Sequence, residues 1–272
     1  MTAGGMGASP AGDARPAAVL RLALCAGQTL LENGGEIFRV QDTMERIARA
    51  YGEEHFHAYV LTNGLFVSVD GGGQLGTTLR FLPQASTHMG RIMAVNELSR
   101  EIAAGAVPLE EAFRRLDAIR AMPQKPALVR LLACAVGTAA FAYLFGGTPV
   151  DAGAAFCAGL ALEPARIALE RSEVGKFVAN LLCAGLVALV SLLCAQALTA
   201  LGVACSLDAI IIGGIIPLVP GIALTTGIRD AAGGDYLSGM IRAVDAVLVG
   251  AAIACGVGFV LTVSSWIPGV MV

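Results

Sequence analysis

The sequence predicts a membrane protein, an α-helical bundle of five transmembrane helices preceded by a small α+β cytoplasmic domain. Of its 272 residues, 56% are hydrophobic and only 14% are charged, whereas about a quarter of the residues in a soluble domain are charged. Twelve of the 18 lysines and arginines lie at or before Lys125, and long apolar stretches follow. We therefore expect a disordered Gly-, Ala- and Pro-rich tail over 1–15, the α+β domain over 16–124 and the transmembrane domain over 125–272.

Two helices are predicted at the start of the α+β domain. The stretch "LRLALCAGQTLL" (20–31) repeats its leucines at helical spacing and is followed by Gly34 and Gly35, which favour a helix end. A second stretch begins at Ile37, alternates apolar and charged faces with a helical period, and stops at Gly52.

The hydrophobic period then changes to that of strands. The segments "HAYVL" (57–61) and "LFVSV" (65–69) flank an Asn-Gly pair, and an Asp-Gly pair precedes "LGTTLRFL" (75–82). Such pairs are typical of tight hairpins, so we expect a small antiparallel sheet. Helical spacing returns over 92–102 and 109–116, which predicts two more helices.

Five apolar stretches follow, and each has about the 20 residues that cross about 30 Å of hydrocarbon. We place these spans near 128–147, 149–167, 177–201, 208–228 and 242–266.

The basic residues between the spans fall on one side only. The segments after the first, third and fifth spans carry none, and the other side carries all seven: Lys125, Arg130, Arg166, Arg171, Lys176, Arg229 and Arg242. The positive-inside rule then predicts a cytoplasmic N-terminal domain and an external C-terminus. A net charge of −3 with no basic face argues against a nucleic-acid partner.

The fourth span contains a helix break. Pro217, Pro220 and Gly221 fall within five residues, and Thr225 and Thr226 follow one turn later. Prolines remove helical hydrogen bonds, and the freed carbonyls are tolerated in a membrane only where protein or water satisfies them. We expect these five residues to line a substrate pathway, together with Asn180, one turn into the third span. A simple proline kink packed against neighbouring helices is the alternative.

Charged residues near the span ends are candidates for coupling or gating, because a charge inside a membrane is costly. On the inner side these are Arg229, Asp230, Asp235 and Arg242, and on the outer side Asp151. Asp151 opens the second span, so the alternative is a carboxylate that sits among headgroups at a helix N-terminus.

The residue pattern contains no sign of enzyme chemistry, of a metal site or of a cofactor. His55, His57 and His88 lack further ligands at suitable spacing, and "DGGGQ" (70–74) lacks the Gly-Lys-Ser/Thr of a phosphate loop. No nucleophile and base stand at a recognisable spacing.

Two segments carry a family resemblance. "LVPGIALTTGIRDAAGGDYLSGMIR" (218–242) resembles the signature of the bacterial threonine/serine exporter family, which also includes the first subunit of a two-component succinate exporter. "GQTLLENGGEIFRVQDTMERIARAYG" (27–52) resembles the start of that family's cytoplasmic domain, including its Gly-x-Glu-x-x-Arg-Val pattern at 34–40. The residues that match the family are Pro217, Pro220, Gly221, Asp230, Asp235, Gly239 and Arg242.

The resemblance implies a subunit of a secondary transporter, driven by the proton-motive force, that exports threonine or serine. A dicarboxylate such as succinate is the alternative substrate, and a non-transporting sensor or assembly protein is a third hypothesis. The chain is similar to the five-span form, which the family pairs with a small second membrane subunit. The expected partners are therefore that subunit or further copies of the chain, besides the small-molecule substrate.

Overall fold

The structure, a computed structural model, describes residues 14–71, 74–82, 88–172 and 174–267. The chain forms two compact units. One comprises the residues up to 124 with 232–238, and the other comprises 125–231 with the residues from 239 onward. The tail predicted over 1–15 lies almost wholly outside the described residues.

The N-terminal unit contains the four helices and three strands that the sequence predicts. The elements are α1 Ala14–Glu32, α2 Ile37–Ala50, β1 Phe56–Leu61, β2 Gly64–Gly71, β3 Gln74–Phe81, α3 Met89–Ala103 and α4 Leu109–Arg120. The strands form an antiparallel sheet in the order β1-β2-β3, so both predicted hairpins are confirmed.

One apolar core holds this unit together. β1 alternates buried and exposed residues, and its buried face packs with Leu22, Met44 and Leu98 from the helices. Arg115 of α4 donates two hydrogen bonds, of 2.5 and 2.9 Å, to Glu101 of α3. Those hydrogen bonds hold the pKa of the Glu101 carboxyl below its ordinary value.

The second unit is helical. The elements that lie wholly or mostly in it are α5 Ala127–Leu144, α6 Pro149–Arg171, α7 Lys176–Ala200, α8 Leu207–Ile215, a 3₁₀ turn Ile216–Leu218, α9 Gly221–Ala232 and α10 Tyr236–Ser265. Among the described residues, four helices are long and apolar enough to cross a membrane: α5, α6, α7 and α10. The pair α8 and α9 becomes a fifth span if the two bent halves are counted together.

The boundary between the fourth and fifth spans differs from the prediction. The predicted spans end at 228 and begin at 242, but α9 continues to Ala232 and α10 begins at Tyr236. The connection is short because Gly234 takes a left-handed φ of 93° and Asp235 accepts a 3.1 Å hydrogen bond from the Ser238 amide. Charged residues that hydropathy assigns to a loop therefore lie on helices.

Small residues set the helix spacing in the bundle. A Cβ atom placed on Gly213 of α8 would lie 2.6 Å from the Ala142 nitrogen of α5, and one on Gly159 of α6 would lie 2.7 Å from the Ala135 Cα. A Cβ atom on Gly256 of α10 would lie 2.2 Å from the Leu181 oxygen of α7. These backbones approach closely only because side chains are missing.

Two glycines on α10 give a matched test of this packing. Gly256→Ala should destabilise the protein by about 1–3 kcal/mol relative to Gly258→Ala, because the new methyl group meets backbone at position 256 and open space at 258. Both substitutions raise helix propensity equally, so their difference isolates the clash. Thermal unfolding in detergent measures it, and equal midpoints for the two variants would contradict the close approach.

Candidate functional site

The predicted break divides the fourth span near its middle. α8 has nine residues, which rise about 14 Å, or about half of the hydrocarbon thickness. The 3₁₀ turn that contains Pro217 follows, and the span is bent by 57° between its two halves. The Gly221 amide donates a 2.8 Å hydrogen bond to the Val219 carbonyl. This amide therefore has a partner within the break itself.

A cavity of about 280 Å³ lies against the first half of the break. It is lined by Arg130, Ala133, Cys134, Leu162, Glu163, Arg166, Pro217 and Leu218. Three elements meet there: the first turns of α5, the second half of α6 and the 3₁₀ turn. The break thus adjoins a cavity that contains charged groups.

Glu163 is the most buried charged group on the cavity wall, with 2% of its surface exposed. Its Oε1 accepts a 2.8 Å hydrogen bond from Arg130 Nε and a 3.0 Å bond from Arg166 Nη2. Its Oε2 accepts a 3.0 Å bond from Arg166 Nε. Arg130 Nη2 also lies 3.9 Å from the exposed Glu170. We call Arg130, Glu163 and Arg166 the charged triad.

Other predicted pathway residues do not line this cavity. Thr225 is exposed, and its hydroxyl donates to the Gly221 and Ile222 carbonyls one turn earlier. Thr226 is buried and donates to the Ile222 carbonyl at 2.7 Å. Asn180 donates to the Lys176 carbonyl at 2.8 Å. These polar groups satisfy their own helices, as is usual for hydroxyls in apolar surroundings.

A second charged contact joins α9 to α10. Arg242 Nε lies 3.1 Å from Asp230 Oδ2, and Arg242 Nη1 lies 3.4 Å from the Thr226 hydroxyl. The side chains of Arg242 and Asp230 are largely buried, with 12% and 4% of their surfaces exposed, respectively. The helices come close enough because Gly239 has no side chain: a Cβ atom there would lie 2.8 Å from the Gly227 oxygen.

Three other predicted residues lie elsewhere. Asp235 precedes α10 and accepts from the Ser238 amide. Arg229 is exposed on α9. Asp151 is fully buried, so the interpretation that it faces headgroups is wrong. Its carboxylate accepts from the amides of Thr148 and Ser206, at 2.7 and 2.8 Å, and so ties the start of α6 to the start of α8. A coupling role for Asp151 stays a prediction.

Sequence reasoning missed the charged triad as a unit. The pairing of Glu163 with Arg166 follows from their spacing of three on one helix. The contact with Arg130 spans 33 residues and leaves no local signal. The fully buried Ser191 of α7 was also missed, and its hydroxyl has no hydrogen-bond partner among the described residues. Within the described ranges, no group of three or more His, Cys, Asp or Glu is placed to hold a metal ion.

The chain is similar to known proteins. Residues 21–264 match the protein family described as "Putative threonine/serine exporter". A curated protein of Corynebacterium glutamicum named "Threonine/serine exporter" is 24% identical over 252 residues, which cover 91% of this chain and 52% of that protein. The chain therefore spans about half the length of the curated relative it matches. No solved structure matches it.

The contact between Asp230 and Arg242 predicts an unequal response to two arginine substitutions. Arg242→Leu should destabilise the protein by about 3–5 kcal/mol, because the buried Asp230 carboxylate loses this guanidinium. Arg171→Leu, on the exposed end of α6, should change stability by about 0.5 kcal/mol or less.

Chemical unfolding in detergent measures both variants. The double variant Asp230→Leu with Arg242→Leu should recover most of the loss, since no buried charge is then left behind. A double variant no more stable than Arg242→Leu alone would show that the ion pair is not the source of the effect.

Proposed function

We propose, because the chain belongs to the threonine/serine exporter family, that it is a subunit of a secondary transporter that exports threonine or serine. Members of this family are exporters, and the apolar helices make this one a multi-pass membrane protein. The observation that carries the proposal is the broken fourth span, whose Pro217 and Leu218 border a cavity that also contains the charged triad.

The physical support comes from the cost of such a feature. A break in mid-span gives up helical hydrogen bonds, and a buried charge inside a membrane costs several kcal/mol or more. A purely structural helix has no need of either. Secondary transporters use discontinuous helices at half depth to build a substrate site, and this span is discontinuous at about half its length.

A dicarboxylate such as succinate is the second candidate substrate. It is favoured by the two guanidinium groups, Arg130 and Arg166, on one cavity wall, because arginine binds carboxylates through two parallel hydrogen bonds. The carboxylate of Glu163 on the same wall would repel the second carboxylate of such a substrate.

We also propose that the proton-motive force drives export and that Asp230 takes part in coupling. Its carboxylate is buried against Arg242, so protonation would weaken the contact between α9 and α10. The Asp230→Asn variant should lose proton-driven export more than downhill exchange. Equal loss of the two activities would make Asp230 a structural or binding residue.

The transporter is proposed to contain more membrane helices than the five spans counted here. Transporters of this kind place their site between two repeats, and the broken α8 and α9 pair has no equivalent among the described helices. A small second subunit is the proposed source, with a further copy of the chain as the alternative. Export by the chain reconstituted alone as a monomer would refute this requirement.

The proposed orientation places the N-terminal unit in the cytoplasm of a bacterial cell and the C-terminus outside its inner membrane. The support is that the seven basic residues from Lys125 onward fall on alternate connections. A reporter active only in the periplasm, fused after Val272, should be active. The same reporter fused between α9 and α10, after Gly233, should be silent. The reverse pattern would overturn the orientation.

The break itself is tested by efflux. Vesicles with the chain and its partner, loaded with labelled serine, threonine or succinate, should release the two amino acids under an imposed proton gradient. Replacing Pro217 and Pro220 together with alanine should reduce release to the level of empty vesicles, since a continuous helix would remove the break. Pro149→Ala, at the start of α6, is the control and should leave release unchanged. Normal release by the double variant would reduce the break to a kink.

A further inference from the structure

We propose that the charged triad and the break form a binding site for the zwitterionic head of an amino acid, with the arginines on its carboxylate and Glu163 on its ammonium. The proposal rests on the proposed function and assigns the site within it. The site comprises Arg130, Glu163, Arg166 and the cavity wall at Cys134 and Pro217.

Arg166 retains hydrogen-bonding capacity. A guanidinium has five N–H donors in a planar fork. Arg166 directs Nε and Nη2 to Glu163, which leaves both hydrogens of Nη1 for another acceptor. Its side chain is 43% exposed, so a ligand in the cavity has access to it. The α-carboxylate of an amino acid is the acceptor that best matches this geometry.

Glu163 supplies the opposite charge. A carboxylate offers about four lone-pair positions, and the two arginines donate three hydrogen bonds to it. Two of these bonds end on Oε1 and one ends on Oε2, so Oε2 is the oxygen that an ammonium group in the cavity would contact. Because Glu163 is 2% exposed, water competes little for it, and an ammonium entering the cavity finds a strong acceptor.

Stabilisation of the contact between α5 and α6 is a poor explanation for the charged triad. A buried ion pair adds little stability over apolar packing of the same volume, and small residues already hold these two helices close at Gly159 and Ala135. The triad also borders a space of about 280 Å³ instead of packed side chains. That volume is slightly below the range, from about 300 Å³, of pockets for drug-sized ligands, which suits a small amino acid.

The mixed charge predicts selectivity. A zwitterion offers a carboxylate to the arginines and an ammonium group to Glu163. A dicarboxylate instead places a second negative group near Glu163, and an amine without a carboxylate gives the arginines no acceptor. We therefore expect serine and threonine to bind more tightly than succinate, than lactate and than ethanolamine.

Cys134 provides a direct probe of occupancy, since its side chain lies on the cavity wall and it is a free thiol. The full-length protein in detergent is treated with N-ethylmaleimide, and the modified fraction of each cysteine is quantified by peptide mass spectrometry. Serine at about ten times its dissociation constant should slow modification of Cys134 about tenfold, because only about a tenth of the sites are then unoccupied. The exposed Cys157 and Cys255 are internal controls whose rates should not change.

Two substitutions on α6 form a matched pair. Arg166→Gln should raise the serine concentration for half-protection about tenfold, because a charged hydrogen bond is lost. Arg171→Gln, on the exposed end of the same helix, should leave it unchanged. Glu163→Gln should weaken protection by serine and strengthen protection by succinate, an exchange of preference that simple misfolding would not produce.

The outcomes separate this site from the function. Protection of Cys134 by succinate but not by serine would overturn the zwitterion site in favour of a dianion site. Export of serine with no protection of Cys134 would overturn the site and leave the proposed function intact. Protection by serine without any export of serine would support the site and refute the function. No protection by serine together with no export would refute both.

Discussion

The constraint on which the bundle depends is the absence of water in hydrocarbon, because every backbone group and charge within it needs a partner inside the protein. The charges on the membrane helices follow this rule. Glu163 meets two arginines, Asp230 meets Arg242, and Asp151 caps α6 while it accepts from the Ser206 amide. The break at Pro217 is placed beside the first of these groups. Charge and irregular backbone are therefore concentrated where they can satisfy one another.

Close helix packing makes that concentration possible. Gly213 lets α8 reach the backbone of α5 at Ala142, and Gly159 lets α6 reach α5 at Ala135. The three helices are then close enough for Arg130, Glu163 and Pro217 to border one cavity, although they are far apart in the chain. At the second contact, Gly227 and Gly239 bring α9 to α10 and so place Asp230 beside Arg242. The glycines, which have no side chains, thus allow the helices to bring the charged side chains together.

Much of the fold is visible in the sequence, since it depends on local signals. The leucine spacing before Gly34, the Asn-Gly and Asp-Gly pairs and the apolar runs specify their own elements. The end of α9 and the start of α10 were misplaced, because hydropathy scores Arg229 and Asp230 as loop residues although Asp230 pairs with Arg242 inside the protein. The break could be read from Pro217 and Pro220, but the contact of Arg130 with Glu163 depends on tertiary packing that no spacing reveals.

The proposed site requires that the break opens into water instead of lipid, and the accessibility of Leu218 tests this requirement most directly. Leu218 borders the cavity, whereas Ile212 is exposed on the apolar surface of α8. Cysteine is placed at each position in protein whose Cys134 is replaced by alanine, and the membranes are treated with a charged, lipid-insoluble thiol reagent. We expect the reagent to modify Leu218→Cys rapidly, and serine to slow that reaction. We expect it to modify Ile212→Cys only slightly. Modification of neither position, or of Ile212→Cys alone, would contradict the requirement.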